Sequence, residues 1–205
     1  MSIREQIIFI GRKLYERGFV AANDGNISAM EDDGSIWITP SGVSKGEIKS
    51  DQLIRMDLDG NILEGSHKKS SETEMHLRVY RENREVRAAI HTHAAHATSF
   101  AIAGIPLDVP CYPEALVLLG KVPLAPYAKP GTPAVADSIA PFVKNYRGVL
   151  LENHGPLTWG KDLTEAFYRM ESLENYAKIL MFTKYILRSD KVLSKDQIDD
   201  LLDNN

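Results

Sequence analysis

The 205-residue sequence contains a single cysteine, Cys111, so no disulfide can form within the chain and a reducing, cytoplasmic setting is expected. Lysine and arginine total 24 against 28 aspartates and glutamates, a net charge of −4 with no basic block. That balance counts against nucleic acid and anionic membranes as partners. Long apolar runs are missing too. The opening MSIREQIIFIGRKLYERG is broken by Arg12 and Lys13, and it reads as neither a secretory leader nor a membrane span. GxxxxGKS/T and GxGxxG are both absent, which removes support for nucleotide hydrolysis and for a Rossmann cofactor site. Repeats, low-complexity runs and Gly/Ser/Pro-rich linkers are also missing, so one domain over residues 1–205 is expected. With 43% hydrophobic residues, a core can form without covalent staples.

What is present is a mixture of helical and extended patterns. Ile3, Ile7, Ile10 and Leu14 recur at helical spacing, with Gly18 as a stop. Residues 23–61 read as short strands and turns, with Ser35 to Thr39 alternating and Asp59-Gly60-Asn61 a hairpin tip. Ser70 or Ser71 predicts a hydroxyl N-cap for a helix from Glu72 to Glu82. Val86 to His91 predicts a strand, Ala94 to Ala103 a helix, and residues 105–133, with seven prolines, a long irregular edge. A helix over 133–145, a strand over 148–153 and a long helix over 162–187 complete the pattern. Regular βαβ alternation is lacking, which favours an α+β fold.

Six histidines are present, and their placement carries the chemistry. His91 and His93 flank Thr92 at the end of a predicted strand, where residues i and i+2 share a face. Their Cβ atoms are then about 6–7 Å apart, within reach of one metal ion. His154 ends another predicted strand, just before Gly155-Pro156. Three neutral imidazoles with an open position are a catalytic zinc pattern, and histidine with carboxylate also suits manganese or iron. His67, in a polar loop, reads as solvated, whereas His76 and His96 read as packed or supporting groups. Cys111 carries no nucleophile motif and reads as a buried thiol.

A carboxylate held near such a metal can move protons. Glu72 leads, although Glu74 stands equally well at the same helix start, and spacing does not separate them. The turns Gly25-Asn26-Ile27-Ser28, Thr39-Pro40-Ser41-Gly42 and Lys69-Ser70-Ser71 offer hydroxyls, an amide and backbone N–H groups that suit an anion.

The stretches GNIS at 25–28, TPSG at 39–42, SSETEMH at 70–76, AAIHTHAAH at 88–96, PLAPYAKPGT at 123–132 and NHG at 153–155 resemble, in this order, the class II aldolase/adducin-head family. The likeness is to its L-fuculose-1-phosphate aldolase branch. It implies a three-layer fold with a central, mostly antiparallel sheet flanked by helices, and a cyclic homotetramer with active sites between subunits. It also implies a divalent metal, usually zinc (manganese, iron or cobalt otherwise), on His91, His93 and His154. The catalytic glutamate after the Ser-Ser pair becomes Glu72, and phosphate binding maps to Asn26, Ser41, Gly42, Ser70 and Ser71. Tyr112 matches a tyrosine that handles the proton on the aldehyde side.

The activity so implied is metal-dependent cleavage of a ketose-1-phosphate into dihydroxyacetone phosphate and an aldehyde. 5-Deoxyribulose and methylthioribulose phosphates are alternative substrates, because a methyl or thiomethyl group is worth only about 1–3 kcal/mol in an apolar pocket. The family also holds sugar-acid phosphate decarboxylases, methylthioribulose-phosphate dehydratases and pentulose-phosphate 4-epimerases; the epimerases carry Asp where Glu72 stands. Adducin-type modules lack the metal histidines. The tail after Tyr185 has no aromatic residue, unlike aldolases that use a terminal tyrosine.

Overall fold

The computed structural model describes residues 1–203. One eight-stranded sheet runs through it in the order β4-β3-β2-β1-β5-β8-β7-β6. The strands are β1 (Asn26–Met30), β2 (Ile36–Ile38), β3 (Ile54–Met56), β4 (Ile62–Glu64), β5 (Ala88–His91), β6 (Leu124–Ala125), β7 (Gly148–Leu151) and β8 (Gly155–Gly160). All neighbours are antiparallel except β6 and β7. The helices are α1 (Ile3–Glu16), α2 (Thr73–Glu82), α3 (Ala95–Ile102), α4 (Pro113–Leu118), α5 (Pro133–Ile139), α6 (Leu163–Leu180) and α7 (Lys195–Asp203).

Both faces of the sheet are buried, and strand alternation sorts the residues between them. On one face Ile36, Ile38, Ala89, Leu157 and Trp159 pack with Met75 and Val79 of α2 and with Val135 and Ile139 of α5. On the other, Ile27, Ala29, Trp37, Ala88 and Ile90 meet Ile7, Ile10 and Leu14 of α1 and Phe167 and Met170 of α6. The second half of α6 packs with α3 and α4 in a third cluster around Phe100, Leu150 and Leu173. The expected three-layer, mostly antiparallel α+β architecture is what forms.

Several local expectations need correction. The helix expected to start at Glu72 under a serine cap begins at Thr73; Glu72 itself occupies the cap position, and the Ser70 hydroxyl accepts from the Glu72 N–H at 3.2 Å. The edge at 105–133 is not wholly irregular. It contains α4, with Pro113 in the first turn where no N–H is needed, and β6, aligned parallel to β7. The helix expected over 133–145 stops at Ile139 and continues as one 3-10 turn, Ala140–Phe142. The long helix stops at Leu180 and runs on as wider π turns, Met181–Ile186. GPLTWG at 155–160 is a fully buried strand, held between β5 and β7.

This topology sets three chain segments side by side. β5 runs antiparallel to both of its neighbours, so its C-terminal His91 lies opposite Asn26 at the start of β1 and Leu157 near the start of β8. The β7–β8 turn carrying His154 closes over the same end. Asn153 takes φ 57° there, a conformation that asparagine tolerates better than most residues.

Candidate metal centre

His91 is fully buried, and its Nδ1 lies 2.9 Å from the Pro156 carbonyl. A carbonyl only accepts, so Nδ1 carries the proton and Nε2 presents a lone pair. His93 repeats the device from the loop beyond β5. Its backbone N–H donates to the Phe19 carbonyl at 3.1 Å, and its Nδ1 lies 3.2 Å from the Asp24 carboxylate. The two Nε2 atoms then face each other at 3.2 Å. Two lone pairs at that distance repel unless a cation stands between them. The spacing suits two nitrogens on one tetrahedral zinc, which at about 2.0–2.1 Å per bond lie about 3.3 Å apart.

His154 completes the cluster. One nitrogen from each of the three imidazoles lies within 4.8 Å of the others. Carbonyl and carboxylate partners behind His91 and His93 fix tautomer and ring direction, as outer-shell groups do at metal sites. The donor set of three neutral imidazoles with an adjacent carboxylate therefore fits a divalent ion. Burial holds the His91 pKa down to about 3, outweighing the nearby Glu72 charge, so this imidazole is neutral across the physiological range.

Glu72, at the cap position of α2, makes no capping hydrogen bond with its side chain and lies against the cluster. Its Oε1 is 2.8 Å from His154 Nε2 and its Oε2 is 3.7 Å from His91 Nε2. Burial raises its pKa, but the neighbouring His91 and the hydrogen bond from His154 lower it to about 2. Glu74 is turned away and pairs with Arg81.

Two close backbone approaches hold the histidines in register. A Cβ on Gly25, which has φ +73°, would lie 2.7 Å from the His91 carbonyl oxygen. One on Gly155 would lie 2.4 Å from the Thr92 carbonyl oxygen and 3.1 Å from the His93 ring.

The predicted anion turns also converge. Asn26 Nδ2 donates to Ser70 Oγ at 3.0 Å, and the Ser41 N–H donates to the Lys68 carbonyl at 2.9 Å. Asn26 and Ser70 are buried, whereas Ser41, Gly42 and Ser71 are exposed beside them. Tyr112 goes elsewhere. Its hydroxyl meets the Asn175 amide at 3.4 Å, in a cleft of about 520 Å³ lined also by Phe19, His96 and Lys178. A single chain does not bring Tyr112 onto the three imidazoles. Cys111 is half-buried, and burial raises its thiol pKa.

Sequence reasoning missed three contributors: Asp24 behind His93, the Pro156 carbonyl behind His91, and Lys45. His76 is buried and His96 is partly buried. His76 Nδ1 contacts the Ser28 hydroxyl at 2.7 Å, and His96 Nδ1 contacts the Glu174 carboxylate at 2.7 Å.

The family model described as class II aldolase and adducin N-terminal domain matches residues 5–181. The chain belongs to this family. A 3-oxo-tetronate 4-phosphate decarboxylase from Cupriavidus necator is 39% identical over 187 residues, covering 89% of this chain and 85% of the relative. An L-fuculose phosphate aldolase from Methanocaldococcus jannaschii is 35% identical, covering 87% and 95% respectively. Among solved structures, an L-fuculose 1-phosphate aldolase superposes with a TM-score of 0.90 at 33% identity, covering 98% of this chain and 95% of that one. No helix among the described residues is long and apolar enough to cross a membrane.

Proposed function

We propose that this protein is a metal-dependent carbon–carbon lyase that forms the enediolate of dihydroxyacetone phosphate and then protonates it. The observation that carries the reading is the pair of Nε2 lone pairs on His91 and His93 at 3.2 Å, with the Glu72 carboxylate against His154. His91, His93 and His154 would hold the ion. Bound there, a zinc or other divalent ion supplies a Lewis acid for the oxygens on which negative charge develops.

The chain's own groups do the rest. Asn26, Ser41, Gly42, Ser70 and Ser71 bind the phosphate and set the register of the three-carbon unit. Glu72 moves the proton at the carbon where the bond breaks, and burial excludes competing water.

Two substrate classes lead to the same enediolate. A 3-oxo-tetronate 4-phosphate loses C1 as carbon dioxide, the C1–C2 electron pair passes toward the C3 ketone, and C2 then takes one proton. A ketose-1-phosphate breaks C3–C4, releases the C4 hydroxyl proton with the aldehyde, and takes one proton at C3. Only the second requires a group on the aldehyde side. Decarboxylation is the first reading, supported by the 39% identity to a decarboxylase. Ketose-1-phosphate cleavage is the second reading, supported by the fold match to a fuculose-phosphate aldolase. It requires Tyr112 to reach a neighbouring subunit's site in a homotetramer.

The test is to supply the zinc-loaded protein with 3-oxo-tetronate 4-phosphate or L-fuculose 1-phosphate and to follow dihydroxyacetone phosphate and carbon dioxide. Release of both products from the oxo acid is expected, and it should fall about 10²–10⁴-fold in Glu72→Gln while zinc stays bound. Dihydroxyacetone phosphate from the ketose phosphate alone selects the second reading. Its absence with both substrates overturns the proposal.

A further inference from the structure

Lys45 is 1% exposed, and its ammonium lies between two loops. Nζ donates to the Asn23 carbonyl at 2.8 Å and to the Val43 carbonyl at 2.8 Å. Asn23 precedes Asp24, whose carboxylate orients His93. Val43 follows Ser41 and Gly42 in the exposed turn. One side chain thus spans the loop behind the metal histidine and the loop assigned to the phosphate.

The segment is wedged into place. A Cβ on Gly11 of α1 would lie 2.6 Å from the Lys45 carbonyl oxygen, and one on Gly46 would lie 2.7 Å from the Tyr15 ring. A buried ammonium is costly unless it is hydrogen-bonded and has negative charge nearby. Burial lowers the Lys45 pKa to about 8, opposed by the Asp24 and Glu72 charges. The amine is therefore largely cationic at neutral pH. It makes no direct ion pair with Asp24 or Glu72 within 4.0 Å, so its field is not cancelled at close range. Lys68 and Lys69 beside Ser70 are exposed, whereas the Lys45 ammonium is buried.

The geometry points to Lys45 as a positioning residue that ties the phosphate loop to the Asp24 loop and supplies the buried positive charge beside the bound phosphate. The inference rests on the reading that the Ser41–Gly42 turn takes a phosphate. It acts through the Val43 and Asn23 carbonyls, so its loss affects anion affinity and metal affinity together.

The experiment measures binding of inorganic phosphate to the zinc-loaded protein by calorimetry, and zinc affinity by chelator competition, without any turnover. Lys45→Gln removes the charge and keeps one amide donor; Lys45→Arg keeps the charge. Lys45→Gln is expected to weaken phosphate about tenfold or more, a loss of about 1.4 kcal/mol, and zinc about tenfold. Lys45→Arg should recover most of the phosphate affinity, which a purely structural role would not produce. Should Lys45→Gln fail to fold, Gly11→Ala carries the test. It favours the helix while pushing on the Lys45 carbonyl, and it should weaken phosphate binding several-fold. A folded Lys45→Gln with wild-type phosphate and zinc affinities overturns the role of Lys45; so does an unaffected Gly11→Ala where the first variant does not fold. Wild-type protein that binds zinc but no phosphate overturns the phosphate-pocket reading itself.

Discussion

The Nε2 atoms of His91 and His93 face each other at 3.2 Å, each ring held from behind by an acceptor on Nδ1. The arrangement suits one shared cation. His93→Ala is expected to abolish stoichiometric zinc binding, measured by metal analysis after dialysis. Asp24→Asn keeps the shape but loses the charged acceptor behind His93, and it should cost about 10–100-fold in zinc affinity. Full zinc occupancy in His93→Ala would remove the metal assignment.

Gly155 matters because its missing Cβ lets the β7–β8 turn lie on the Thr92 carbonyl. Gly155→Ala forces at least one of the two chains to move, since the new carbon would sit 2.4 Å from that oxygen. A loss of about 1–3 kcal/mol in unfolding free energy is expected, as for other overpacked sites. Zinc affinity should fall with it, because Thr92 separates two of the three histidines proposed to hold the metal. Urea titration and chelator competition on the same sample check both effects.

Tyr112 separates the two substrate readings. Carbon dioxide leaves without a proton, so Tyr112→Phe should change decarboxylation of a 3-oxo acid by less than about threefold. Aldol cleavage must take up the hydroxyl proton, and loss of a group that handles it typically costs about 10²–10⁴-fold. Measuring kcat/KM for both substrates on the same variant decides which chemistry uses this tyrosine. Equal losses on both would instead place Tyr112 in binding.

Much of this site was legible because strand periodicity and turn chemistry are local. His91 and His93 announce themselves by i, i+2 spacing. Local signals do not reveal what tertiary packing decides. Residues 155–160 begin with Gly-Pro and look like a turn, yet they form a buried strand because β5 and β7 supply ladders on both sides. α4 lay hidden among prolines, although Pro113 merely opens it. Glu72 and Glu74 are equivalent by spacing; only the packing of α2 turns one toward His154 and the other toward Arg81. Lys45 reads as an ordinary lysine in a Gly/Ser-rich turn, and nothing short of the fold buries it.

Acid should destabilise the metal-free protein over a defined range, and the sign follows from two buried imidazoles. Burial lowers the His76 pKa to about 4 and the His91 pKa to about 3, against 6.5 for an exposed histidine. Between these values and 6.5 the unfolded chain binds protons that the folded chain refuses, so unfolding free energy falls as pH falls. Each histidine contributes a slope approaching about 1.4 kcal/mol per pH unit once pH is well below 6.5. Glu72 adds a loss in the same direction below about pH 4.5, since its carboxyl must be ionised to hold the His154 contact. Urea unfolding of the apo-protein at pH 7.5, 6.0 and 5.0 should show this decline. His76→Gln should remove one of the two slopes between pH 6 and 5, because a neutral amide replaces the imidazole beside Ser28. A flat profile over that interval in the wild-type apo-protein would mean that His76 and His91 accept protons without leaving the fold.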